Sequence, residues 1–138
     1  MDKYMQKTLK LCEKSFKNGD VPVAAMIIKD DKIISQAYNR KYKDHDVTAH
    51  AEILALWKAC RKLKTNYLND CIMYVSLEPC MMCTSAIVQS HIKKIIYCTD
   101  SPKYGFMIEN SEKFNIECIK MYDSSYEEML KNFFKDKR

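Results

Sequence analysis

Two short stretches carry residue types that can do chemistry together: His50-Ala51-Glu52 and Pro79-Cys80-Met81-Met82-Cys83. Cys80 and Cys83 sit at i and i+3, so on a helix they share a face and can grip one ion. A helix start presents free N–H groups and partial positive charge. Both favour thiolate, the form that binds metal. His50 supplies a third donor. One imidazole and two thiolates form a borderline-soft set that suits Zn²⁺, one ion per chain. Three protein ligands leave the fourth tetrahedral position for water, the mark of a catalytic rather than a structural site. Glu52, close to His50 but on a different helical bearing, need not bind the ion. It is the candidate proton carrier beside a metal-activated water.

These groups need elements to position them, and the surrounding pattern supplies such elements. Tyr4, Met5, Leu9, Cys12 and Phe16 recur at helical spacing, and Asn18-Gly19 stops that helix. Residues 21–29 form a β-rich run, Asp30-Asp31 turns it, and 33–38 runs back as a hairpin. The polar stretch 39–47 reads as a loop. Thr48 can cap a helix that carries His50, Glu52, Leu54 and Trp57 towards Leu63. Residues 72–77 read as a strand. Pro79 opens a second helix through Ser90, since proline is well tolerated at a helix start. Residues 94–99 and 116–121 are further strands. Ser124 and Ser125, each with a Glu three residues on, carry a capping-box pattern for a last helix to about Lys135. Helices interleaved with strands predict an α/β domain: three α-β-α layers around a mixed five-stranded sheet, mixed because of the hairpin.

The bulk properties agree. A chain of 138 residues with 47% hydrophobic content suits one domain, residues 1–138, with a proper core. No apolar run approaches a membrane span, and the first ten residues alternate charge with apolar groups, unlike a signal peptide. Seven cysteines cannot all pair, so the expectation is a soluble protein in a reducing cytoplasm. Cys12, Cys60, Cys71, Cys98 and Cys118 sit among apolar neighbours and read as small buried hydrophobes. The net charge of +5 is compatible with a polyanionic partner. It is equally compatible with a solvated lysine-rich face, because Arg40, Arg61 and Arg138 are the only arginines.

His-x-Glu followed by Pro-Cys-x-x-Cys is the signature of the zinc nucleobase deaminases. From about Gly19 onward the chain resembles the bacterial tRNA-specific adenosine deaminase family. Asp20-Val21-Pro22-Val23, Tyr38-Asn39-Arg40, the run from Asp46 to Ile53, the run from Tyr74 to Cys83 and Phe133-Phe134-Lys135 carry the likeness. The resemblance implies a cytidine-deaminase-like fold and conversion of a wobble adenosine to inosine in a tRNA anticodon stem-loop. It implies a homodimer with the anticodon cleft near the subunit boundary. It assigns zinc to His50, Cys80 and Cys83, and proton shuttling to Glu52. It assigns base recognition to Asn39 and to the main chain near Ala51, although Asn39 also suits a turn at a strand end. Candidate RNA contacts are Arg40, Lys103, Tyr104, Phe106, Phe133, Phe134 and Lys137, with Lys41, Lys43 and Lys135 as further cations.

The match departs from the family at Ala24, where glycine is usual. It departs again after Asp100, where Phe106 replaces a small residue and 107–114 is shortened. Two other readings therefore stand beside the first. One is a deaminase of a free base or nucleoside, of guanine or cytosine type; the stretches 58–63 and 70–72 are similar to small-molecule guanine deaminases. The other is a non-catalytic zinc domain that binds RNA. It would need a fourth ligand, and His45 and His91 read instead as a loop and a helix-end histidine.

Overall fold

The computed structural model describes residues 2–136. In chain order the elements are α1 (Lys3–Lys17), β1 (Ala24–Lys29), β2 (Lys32–Tyr38), α2 (Lys41–Asp44), α3 (Ala51–Leu63), β3 (Ile72–Leu77), α4 (Met81–Ser90), β4 (Lys94–Thr99), α5 (Met107–Asn110), β5 (Glu117–Lys120) and α6 (Ser124–Asp136). The five strands form one sheet in the order β2-β1-β3-β4-β5. β1 pairs antiparallel with both β2 and β3, whereas β3–β4 and β4–β5 are parallel. The sheet is mixed, as the hairpin requires.

Alternation along the strands divides the core into two layers. Ala24, Met26 and Ile28 of β1, with Tyr74 and Ile96, face Tyr4, Met5 and Cys12 of α1 and Tyr126 and Leu130 of α6. Ala25 and Ile27, with Met73, Val75 and Ile95, face Ala51, Ala55 and Ala59 of α3 and Ile87 of α4. A central strand buried on both faces reads as a continuous apolar run, which is what β1 shows. Small alanines on α3 bring that helix close to the sheet.

Several element ends differ from the sequence reading, each for a local reason. The first strand begins at Ala24, because Pro22 has no N–H and the Val23 N–H turns back onto Val21 at 2.8 Å. Asp30 and Asp31 both take positive φ, 50° and 62°, the geometry of a two-residue hairpin turn. Thr48 does not cap α3: its hydroxyl and N–H both bond the Asp46 carboxylate, at 2.7 and 2.8 Å, and the helix starts at Ala51. Asp123, not Ser124 or Ser125, caps α6, its carboxylate accepting the Tyr126 N–H at 3.0 Å. With only two glycines in the chain, α2, α3 and α4 end on His45, Lys64 and His91 in the left-handed region. Two of the three histidines therefore close the C-terminal ends of helices.

Candidate metal centre and active site

His50 and Cys80 are the N-cap residues of α3 and α4, both with extended backbone. Neither side chain caps its own helix. Their carbonyls still accept the first intrahelical bonds, from Leu54 at 3.0 Å and Thr84 at 2.8 Å. The two side chains are thus freed from capping and project where two helix N-termini converge. Capping of α3 is supplied from outside the helix. Asn39 Oδ1 accepts the Ala51 N–H at 2.8 Å, and Asn39 Nδ2 donates to Val21 O at 3.1 Å.

The Cys83 and Cys80 sulfurs lie 3.5 and 3.9 Å from His50 Nδ1, and all three donor atoms lie within 4.8 Å of one another. For tetrahedral zinc, bond lengths near 2.05 and 2.3 Å put N and S about 3.6 Å apart. The cluster fits such an ion. Among the described residues no other trio of His, Cys, Asp or Glu groups this way, and His45 and His91 stand outside it.

Glu52 is 4% exposed, and its Oε1 is one of two buried side-chain oxygens without a hydrogen-bond partner among the described residues. An orphaned carboxylate oxygen calls for a partner that the protein itself does not provide. Burial pushes its carboxyl up to about 7, against the opposing pull of its own N–H and of His50. The second orphan, Thr84 Oγ1, sits one turn after Cys80.

The two neighbouring thiols shift in opposite directions. The hydrogen bond from Cys83 and the contact with His50 hold Cys80 far below the ordinary thiol range. The Cys83 N–H adds to this, although its approach falls short of a cap hydrogen bond. Cys83, fully buried, is driven up by that same hydrogen bond and by desolvation. The Cys80 sulfur in turn holds the His50 imidazole above its usual range. Of the three half-buried cysteines, Cys60 and Cys118 are raised by burial and Cys80 alone is lowered. Iodoacetamide at pH 6 should therefore label the metal-free protein first at Cys80, as read by mass spectrometry, and bound metal should protect it. Equal labelling of Cys60 would show that the Cys80 thiol is not activated.

Other sequence-stretch expectations divide. Phe106 lies beside the cluster, since its N–H and that of Met107 donate to Pro79 O at 3.1 and 3.4 Å. Tyr104 is exposed, with Lys103 Nζ 5.3 Å from its ring. Arg40 is already engaged, bridging to Asp44 at 2.9 Å and donating to the Tyr38 hydroxyl at 3.1 Å. Phe133 is a correction: it is buried, with its ring 6.0 Å from that of Phe16. The apolar face of α6 needs it against α1, so it has no surface to offer a base. Phe134 is half exposed, but α6 packs on the face of the sheet opposite α3 and α4. Lys137 lies outside the described residues.

The sequence reading missed two buried carboxylates. Asp20, 2% exposed, accepts the Tyr42 and Lys43 N–H groups at 2.7 and 3.4 Å and so caps α2, whose own N-cap, Arg40, does not. Glu78 does the same for α5, accepting the Ile108 N–H at 3.1 Å where Phe106 gives no side-chain cap. A carboxylate flanked by the apolar Leu77 and by Pro79 was the available signal.

A family model described as MafB19-like deaminase matches residues 1–138, which sets the class: a hydrolytic deaminase. The chain is 44% identical over 105 residues to the tRNA-specific adenosine deaminase of Aquifex aeolicus, covering 76% of this chain and 70% of that protein. The chain belongs to the tRNA-specific adenosine deaminase family. A structure from work on A-to-I editing by tRNA:A34 deaminases superposes with a TM-score of 0.79 at 30% identity, over 86% of this chain and 96% of that one. A guanine deaminase from Bacillus subtilis gives a TM-score of 0.67 at 36% identity, over 72% and 66%. These neighbours share the α/β architecture described above.

Proposed function

We propose that this protein hydrolyses the 6-amino group of adenosine at the wobble position of a tRNA anticodon, leaving inosine. The observation that carries this reading is the open His50, Cys80 and Cys83 cluster beside the unpartnered Glu52 oxygen. One Zn²⁺ per chain, held by those three residues, would make a nucleophilic water available near neutral pH. Glu52 accepts one proton from the attacking water and delivers it to the adjacent ring nitrogen. It then takes a second proton from the newly added hydroxyl, which becomes the carbonyl oxygen, and passes it to the departing amine. The C6–O bond forms, the C6–N6 bond breaks and ammonia leaves, so the carboxylate ends as it began. Burial suits Glu52 to this role, because desolvation pushes its carboxyl above the ordinary carboxylate range and so makes it a stronger base.

Asn39 has one amide hydrogen bonded to Val21 O, and its second is the donor this reading assigns to the base. The Ala51 N–H is taken by Asn39, so the main-chain contribution near Ala51 falls to its carbonyl or a neighbour. Lys103, Tyr104 and Phe106 are the assigned RNA contacts that adjoin the cluster through Pro79. The reading carries with it one deaminase domain over residues 1–138, a homodimer and a cytoplasmic setting. No helix of the described residues is long and apolar enough to cross a membrane.

The likeness to a guanine deaminase supports a second reading, a free-base enzyme. One experiment separates the two. The zinc-loaded protein is incubated with an anticodon stem-loop bearing adenosine at the wobble position, and separately with guanine and cytosine. Ammonia is expected from the stem-loop alone, and kcat/KM should fall steeply with added salt as phosphate contacts are lost. Ammonia from guanine, indifferent to salt, would overturn the tRNA reading.

A further inference from the structure

A carboxylate buried at a strand end must have its charge met, and in most proteins a cation does so. Glu78, 8% exposed at the end of β3, is met by main-chain amides instead. Its Oε1 accepts the Ser101 N–H at 3.1 Å and its Oε2 accepts the Ile108 N–H at 3.1 Å. None of the ion pairs formed by the described residues includes it. Its two oxygens thus hold both ends of one segment, 101–108, which leaves the carboxyl end of β4. The next residue, Pro79, holds the middle, accepting the Phe106 and Met107 N–H groups. The residue after that is Cys80.

Space confirms the closeness of this contact. A Cβ built on Gly105 would lie 2.3 Å from Glu78 Oε1 and 2.4 Å from Ser101 O, so only glycine fits. Gly105 also donates its N–H to Ser101 O at 3.0 Å, closing the loop on itself. The segment carries Lys103, Tyr104 and Phe106: residues 102–104 are exposed, and beyond the Glu78 and Pro79 bonds its side-chain anchor is Met107, buried in the core at the far end. Within this stretch Lys103 and Gly105 keep the family pattern, whereas Phe106 departs from it.

We propose that Glu78 is a positioning residue that sets segment 101–108 against the Cys80 end of the site and thereby governs affinity for the nucleic acid rather than the chemical step. The inference rests on the substrate reading above. Glu78→Gln keeps the shape but turns one oxygen into an NH₂ group, which would face an N–H donor and release one end of the segment. Gly105→Ala reaches the same end by another route: it forces both Oε1 and the Ser101 carbonyl away from the new Cβ while leaving the carboxylate chemically intact.

The test compares both variants with wild type, all as zinc-loaded protein, by zinc content, NMR amide exchange, and KM and kcat on the stem-loop. Both should retain one zinc per chain. Glu78→Gln should speed exchange at Ser101 or Ile108 at least about tenfold, and KM should rise about tenfold in both variants with kcat within about twofold. Unchanged exchange and KM would overturn the proposal. So would loss of fold in both variants, or a joint fall in zinc and kcat, because Glu78 would then be a general structural support. A wild-type protein inert on the stem-loop overturns the substrate reading instead, and amide exchange alone then decides whether the clamp exists.

Discussion

Glu52→Gln should lower ammonia release by roughly 10²–10⁴-fold, the usual worth of a positioned acid–base group, while zinc stays bound. The amide keeps the shape of the carboxylate but cannot carry a proton. Zinc content and single-turnover ammonia release check both halves, and normal turnover would remove Glu52 from the proton path. A second consequence concerns stability in the metal-free protein. Burial raises the Glu52 carboxyl from an ordinary 4.5 to about 7. The folded state therefore keeps its proton up to about pH 7, whereas the unfolded chain loses it near 4.5. The stability contributed by the neutral form is complete below 4.5 and is lost as pH rises through about 7. Metal-free Glu52→Gln should accordingly unfold at higher urea than wild type at pH 8, with little difference at pH 4. Equal midpoints at pH 8 would show that water reaches the carboxylate.

Cys83→Ser should empty the metal centre. Cys83 is fully buried, so no outside donor can take its place. A serine hydroxyl does not ionise near neutral pH and is a poor match for the ion that two thiolates and an imidazole select. The loss of zinc affinity should exceed the 10–100-fold that removal of a mere supporting group costs, and ammonia release should disappear with it. Chelator competition measures the affinity. Cys12→Ser and Cys98→Ser are the controls: both residues are buried in the layer between the sheet, α1 and α6, away from the cluster, and both should keep zinc. Full occupancy and full turnover in Cys83→Ser would strike it from the ligand set.

Much of the site was legible before any coordinates. His50, Glu52, Cys80 and Cys83 are short-range patterns whose chemistry follows from residue type and spacing, and both pairs fall at helix starts. The strands Ile72–Leu77 and Lys94–Thr99 and the mixed sheet were legible too, because a strand buried on both faces is a short, continuous apolar run rich in β-formers. Helix caps were less so. Thr48 and Ser124 are both good capping residues, but Asp46 drew Thr48 into a turn and Asp123 outcompeted Ser124 as the stronger acceptor. Phe133 and Phe134 are adjacent and alike in type, so only the packing of α6 could say which one is buried.

What the sequence by itself determined is the candidate cluster of His50, Cys80 and Cys83, with Glu52 beside it, and the layered α/β frame, since the residue types and local spacing of two short motifs identify the cluster even though 30 residues separate them. What only the tertiary structure decided is how the cluster residues are released from local duty. Asn39 caps α3 across 12 residues, so the His50 side chain is free to join Cys80 and Cys83, and Glu78 caps α5 across 30, while the segment bearing Phe106 bonds Pro79, next to Cys80. Those bonds join groups far apart along the chain, and no local periodicity encodes them. They arise because a buried polar group must find its partner wherever the folded backbone brings one within reach.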